Sequence, residues 1–141
     1  DGYKARVEQL PPSSGAFGVY LGVKDVAIPV GCPPHLQFLY DYDGIIGENN
    51  SLFVSVSHPG DGRAPSGQAT IIASSFVDVS KWYGEGVDYA AMKAEYTAVA
   101  IAKLGQYFDL APEHIIVTAA GTPRTFEHYT ARDRGIVGGI G

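Results

Sequence analysis

Alternation with a period of two runs through the first half of the chain. At residues 17–23, Phe17, Val19, Leu21 and Val23 fall on one side, while Gly18 and Gly22 leave the other side thin, as in a half-buried strand. Residues 24–34 carry Pro29, Gly31, Pro33 and Pro34 and read as turns. A second strand is predicted over 36–42, with Leu36, Phe38, Tyr40 and Tyr42 sharing a face, and a third over 52–58 after the loop DGIIGENN. The fourth, over 68–79, is unusually long and follows the linker PGDGRAPSG. That short Gly- and Pro-rich link predicts that strands three and four pair antiparallel. Four strands without an intervening helix favour a mostly antiparallel sheet over a doubly wound one.

The period then changes. From Asp88, which suits an N-cap, to Phe108, the side chains of Tyr89, Tyr96, Ala100, Ile101, Leu104 and Phe108 recur every three or four residues, the pattern of an amphipathic helix. Lys93 interrupts the stripe, Gly105 weakens its last turn, and Pro112 lies beyond its end. A strand over 114–119 follows. Thr122 then caps a short helix that begins at Pro123, where a missing N–H costs nothing, and runs out at Gly135. The predicted fold is α+β: a mostly antiparallel, mixed sheet of about five strands, with the long helix and the short C-terminal helix on one face. Residues 1–141 form one domain without repeats.

Composition narrows the functional classes. A chain of 141 residues with 45% hydrophobic and 18% charged residues can bury a core without staples. A net charge of -5, with ten basic residues scattered along the chain, argues against a nucleic-acid partner, which needs clustered Lys and Arg. Cys32 stands alone, which excludes a disulfide framework within this sequence and a CxxC zinc site, and makes a reducing compartment the expectation. No apolar run approaches the ~18 residues of a membrane span, so any membrane contact is expected to be peripheral. The sequence opens on Asp1 and its one methionine is Met92, which makes an excised piece of a longer protein the expectation. Asn49-Asn50-Ser51 matches a glycosylation triplet and is read as loop.

Candidate chemistry is sparse. Cys32 and His35 flank Pro33-Pro34, a stiff turn more than a nucleophile and its base. His58 and Asp61 are too few to hold a metal alone. Asp41 and Asp43 alternate as in a calcium loop, but Gly44 comes too early and Glu48 does not supply the last ligand. GAFGVYLG and the closing GGIG both miss the spacing of a dinucleotide-binding loop. Two features stand out. Three arginines, Glu127, His128, Tyr129 and Asp133 crowd the stretch 124–134. Nine Tyr, six Phe and Trp82 make the chain aromatic-rich, which fits either an ordinary core or the wall of a long apolar site.

Three segments in order, PSSGAFGVYLGV, SLFVSVSHPGDGRAPSGQATIIASSFVD and AGTPRTFEHYTARDRGIVGGIG, with a long helix between the second and third, resemble the phytoene desaturase-related FAD flavoproteins. These are the carotenoid desaturases and isomerases of the amine-oxidase-like superfamily, and the likeness is nearest to the carotenoid 3,4-desaturase type. Asp61, Ala64, Pro65 and Gly67 match that family's D-x-x-APxG hairpin, and Thr122, Pro123, Thr125, Glu127, Tyr129 and Thr130 match its TPxTxExYT helix.

The resemblance implies a substrate-binding domain of a larger FAD-dependent oxidoreductase that desaturates or isomerises a carotenoid polyene. FAD would be held by the flavin-binding domain of the same protein and not by these residues, which lack the GxGxxG fingerprint. The implied partners are an apolar polyene, that flavin domain and a membrane surface met peripherally on its cytoplasmic side. Phe38, Tyr40, Tyr42, Phe53 and Phe76 are the candidate substrate-lining residues, with the face of the sheet that lines the channel left open. No catalytic residue is assigned, since the flavin carries the chemistry and the protein supplies placement and dryness. A non-catalytic lipid- or pigment-binding module is the alternative. The closing GIVGGIG reads as the crossing back towards the flavin domain, where glycine lets the backbone bend.

Overall fold

The computed structural model describes residues 2–10, 13–57 and 60–138. Five strands, β1 (Gly15–Lys24), β2 (His35–Leu39), β3 (Ser51–Val56), β4 (Gln68–Val77) and β5 (Ile115–Gly121), form one sheet in the order β2-β3-β4-β1-β5. All four pairings are antiparallel, including the expected β3–β4 hairpin. Three α-helices are present among the described residues: α1 (Gly2–Glu8), α2 (Tyr89–Leu104) and α3 (Pro123–Thr130). The fold is α+β, as the patterning predicts.

Register assigns every strand residue to one of two faces, because directly paired residues share a side and neighbours along a strand alternate. Phe17, Val19, Leu21 and Val23 of β1 pair in line with Ser75, Ala73, Ile71 and Ala69 of β4, and Val54 and Val56 of β3 continue the row. This inner face is the core. Phe17, Val19, Leu21, Val23, Leu52, Val54 and Ile71 are almost wholly buried there, under Ala100, Leu104 and Phe108 from α2 and the turns after it. Trp82 seals one end, stacked on Phe17 at 6.1 Å and edge-on to Tyr96 at 5.1 Å and Tyr89 at 6.2 Å.

Several ends differ from the patterning, each for a local reason. β2 stops at Leu39 instead of 42, because residues 40–50 fold around Asn50, whose amide binds the backbone of Asp41 on both sides and the carbonyl of Ile45. Hydrogen bonding in an Asp-rich turn outweighs two further alternating tyrosines. β3 spans Ser51–Val56 where 52–58 is predicted, and His58 lies outside the described residues. β4 ends at Val77 because the Asp78 carboxylate accepts from the Ser80 N–H at 2.9 Å and starts a single 3₁₀ turn, Val79–Trp82. α2 starts where expected, with Asp88 accepting from the Ala91 N–H at 3.0 Å, but ends at Leu104 and not at Phe108, with Gly105 as its C-cap. β5 runs on to Gly121, two residues beyond the predicted strand. α1 has no buried residue and no apolar stripe to announce it; its one ion pair is Lys4–Glu8 at 3.8 Å, one helical turn apart.

Phe17 joins the sheet to the aromatic end-seal, so its truncation should cost about 3–5 kcal/mol. Phe17→Ala, followed by urea unfolding through the emission of the single tryptophan, Trp82, checks this; a loss below about 1 kcal/mol would mean that the seal does not hold the sheet.

Candidate functional site

The second face of the sheet has an unusual composition. Its outward positions are Ala16, Gly18, Tyr20, Gly22 and Lys24 on β1, then Thr70, Ile72, Ser74 and Phe76 on β4, with Phe53 and Ser55 on β3 and Val117 and Ala119 on β5. Lys24, at the last residue of β1, is the one charge among these. A solvated face of an antiparallel sheet ordinarily alternates polar and charged residues outward. Here Phe53 (49% exposed), Phe76 (58%) and Val117 (57%) stand open, with Tyr20 and Ile72 between them.

The floor between these side chains is made of small residues. A Cβ added to Gly18 would lie 3.2 Å from the Tyr20 hydroxyl, and one on Gly121 would meet the rings of Tyr20 at 3.5 Å and Phe126 at 3.6 Å. Tyr20 therefore lies down over glycine, and the face stays shallow. Phe126 brings α3 to the same surface. Towards β2 the face turns polar: His35 stacks on Phe53 at 5.9 Å and meets Ser55 Oγ at 3.1 Å, and Gln37 donates to Ser51 Oγ at 2.7 Å. A recess of about 300 Å³ lies there, lined by Gln37, Ser51, Phe53, Ser74 and Phe76.

The five aromatic residues singled out from the sequence do not share a surface. Phe53 and Phe76 are on the open face. Phe38 packs on the inner side between Tyr40 and Tyr107, Lys103 Nζ lies 4.3 Å above the Tyr40 ring, and burial pushes the Tyr40 phenol up. Tyr42 is exposed in the loop after β2. Tyr20, Ile72, Val117 and Phe126 were missed. The uncharged alternation of β1 and β4 on the side away from the core was the signal available for the first two.

The loop over 40–50 rims the open face beside Phe76. Glu48 anchors it: its N–H donates to the Phe76 carbonyl at 2.7 Å, its carboxylate accepts from the Asp78 N–H at 2.8 Å and from the Tyr96 hydroxyl, and Lys81 lies 3.5 Å away. Burial, then the Glu48 carboxylate, raises the Tyr96 phenol. Ile45 and Ile46 are thereby held exposed next to Phe76. Asn49 of the glycosylation triplet is buried with its side-chain amide on the Tyr96 carbonyl at 3.2 Å, a position no glycan could occupy.

The motif residues fall mostly into the scaffold. Ser66-Gly67 makes a turn closed by the Gln68 N–H on the Pro65 carbonyl at 3.0 Å, and Gly67 takes φ +76, the left-handed conformation that the third position of such a turn requires. The Gly67 carbonyl then accepts from Asp25, fixing the exit of β1, and Asp61 accepts from the Arg63 N–H at 2.9 Å; Ala64 lies between these two turns. In the helix motif, Thr122 and Thr125 form a reciprocal capping box, and Pro123 occupies the first turn. Glu127 accepts from the Tyr83 hydroxyl at 2.9 Å and from the Arg134 N–H at 3.0 Å, Thr130 donates to the Phe126 carbonyl at 2.6 Å, and Tyr129 is 80% exposed. The polar crowd of 124–134 is thus largely a brace for α3. Gly135, at φ +65, passes so close to the Pro123 carbonyl that any Cβ would collide with it. Ile136 then bridges to Gly15, and the end of the closing glycine stretch, residues 139–141, lies outside the described residues.

Neither longer helix offers a cradle for the pyrophosphate of a flavin dinucleotide. α2 begins on the Asp88 carboxylate, which repels phosphate, and α3 spends its first donors on its own capping box, with Pro123 supplying none. Neither of these two helix starts is arranged to hold a pyrophosphate. Among them no group of three metal-ligating side chains occurs, and no helix is long and apolar enough to cross a membrane. Compared with models of known protein families and with characterised proteins, the chain matches none.

Two outcomes test the brace around α3. Thr122→Val should cost about 1–2 kcal/mol in urea unfolding by removing the cap acceptor; an unchanged midpoint would deny it that role. Burial, then Glu127, pushes the Tyr83 phenol up to about 12 from the usual 10 of a tyrosine. The stability it gives is therefore fully present below pH ~10 and is lost as pH rises towards 12. Melting temperature should fall across that window, and less steeply in Tyr83→Phe; parallel curves would contradict the pairing.

Proposed function

We propose that this chain is the substrate-binding domain of a FAD-dependent oxidoreductase that desaturates or isomerises a carotenoid polyene, and that the open face of the sheet is the wall along which the polyene lies. The observation that carries this reading is the charge-free outward row on β1, β3, β4 and β5 before Lys24. Strands of ten residues, such as β1 and β4, extend about 33 Å, which suits a long rod-shaped substrate. The ordered resemblance of three segments to the carotenoid desaturases and isomerases supports it. FAD is held elsewhere in the enzyme, and the redox step belongs to it.

What these residues do is bind, align and exclude water. Apolar transfer is worth ~25 cal/mol per Å², so a polyene laid on Tyr20, Ile72, Phe76 and Val117 is held without any hydrogen bond. Tyr20 lies flat over Gly18 and Gly121, which keeps the wall shallow, and Tyr20, Phe53 and Phe76 offer ring faces to the π-system of the rod. Alignment of a fixed C–H bond against the flavin is then a matter of register along the face. Such a substrate resides in a bilayer, and the enzyme reaches it as a peripheral protein on the cytoplasmic side of the membrane.

Ile72→Arg in the complete enzyme tests this. The side chain is already exposed, so stability should change by less than about 0.5 kcal/mol. Carotene turnover should fall by more than about a hundredfold, because a guanidinium would be stripped of water against hydrocarbon. Turnover within a fewfold of normal would overturn the proposal. Titrating residues 1–141 with FAD should give no bound flavin absorbance; tight binding would contradict the division of labour.

A further inference from the structure

β5 is an edge strand whose composition is that of an interior one. It reads IIVTAAG, without charge or proline, and Ile116, Val117, Thr118 and Ala119 are all exposed. Edge strands are ordinarily guarded by charge, proline or brevity. The opposite edge is guarded: β2 is five residues long, follows Pro33-Pro34 and carries His35 and Gln37. Every second N–H and C=O of β5 points away from β1, and among the described residues no strand pairs with that edge.

A trough of about 620 Å³ runs beside it, with Thr118, Ala119 and Ala120 on one side and Ala94, Thr97 and Ile101 of α2 on the other. Its charge is one-sided. Lys93 lines it, with no carboxylate within salt-bridge distance among the described residues, and Arg124 lies at the same end, 4.7 Å above the Tyr89 ring. No acidic side chain lines the trough.

We propose that the open edge of β5 takes up a β-strand from outside this chain, uncharged along most of its length and bearing a carboxylate where it passes Lys93. The unpaired backbone specifies an extended partner, the alanine-rich wall of α2 accepts its alternate side chains, and Lys93 sets its charge. A second copy of β5 fits less well, since it brings another Lys93 and Arg124 and no carboxylate.

The probe is an acetylated and amidated peptide of sequence TVEVTVT, with TVKVTVT as its counterpart, titrated into residues 1–141 while amide hydrogen exchange is followed residue by residue. The first peptide should slow exchange at alternate amides of residues 115–121 and leave β2 unchanged, and the second should bind about fivefold more weakly. Lys93→Glu, which leaves strand and core untouched, should invert that preference. Absence of slowing with either peptide, equal affinities, or protection at β2 instead would overturn the proposal. Protection of β5 that grows with protein concentration alone would overturn it in favour of self-association.

Discussion

Trp82 has no exposed surface, and the rings of Phe17, Tyr96 and Tyr89 close around it from the sheet and from α2. That contact decides on which side of the sheet the helix lies. Once α2 is clamped to the row headed by Phe17, the side chains of Val19, Leu21, Ile71 and Val54 must be dry. By the pleat alone, their neighbours Tyr20, Ile72 and Phe53 must face away. The open face is thus a consequence of the core and not a separate element. The motif residues serve the same division: Thr122, Thr125 and Glu127 hold α3 at the end of the sheet, where Phe126 and Tyr20 both close over Gly121.

Alternation made the inner face legible, because a buried strand writes its burial directly into sequence. Phe17, Val19, Leu21 and Val23 need no structure to be grouped, and Asp88 and Thr122 declare their helices by cap chemistry that acts within four residues. What stayed hidden depends on contacts between distant residues. Phe38 and Phe53 belong to adjacent strands, and only the register Phe38↔Leu52 puts them on opposite faces. Tyr42 continues the period of β2 in sequence, but Asn50, eight positions on, folds the loop that removes it from the strand. α1 left no trace because it buries nothing.

The functional reading rests on a contrast between the two faces. The inner face is apolar and covered by α2, whereas the outer one mixes Ser and Thr with Tyr20, Phe53, Ile72, Phe76 and Val117, which no described helix covers; exposed aromatic and branched residues without intervening charge call for a cover of like chemistry. The polyene we propose would be such a cover, with the protein supplying placement while a cofactor supplies the chemistry. Tyr83 and Tyr96, whose phenols are pushed up, sit in the brace and the rim, bonded to Glu127 and Glu48. They secure the frame around the face.

The six phenylalanines allow the central claim to be read in one experiment: uniform fluorophenylalanine labelling, with fluorine NMR recorded as carotene-loaded micelles replace empty ones. The account predicts shifts at Phe53, Phe76 and Phe126, which face the open side, and none at Phe17, Phe38 and Phe108 on the inner side. Shifts at Phe38 with silence at Phe53 and Phe76, or identical spectra with and without carotene, would contradict it.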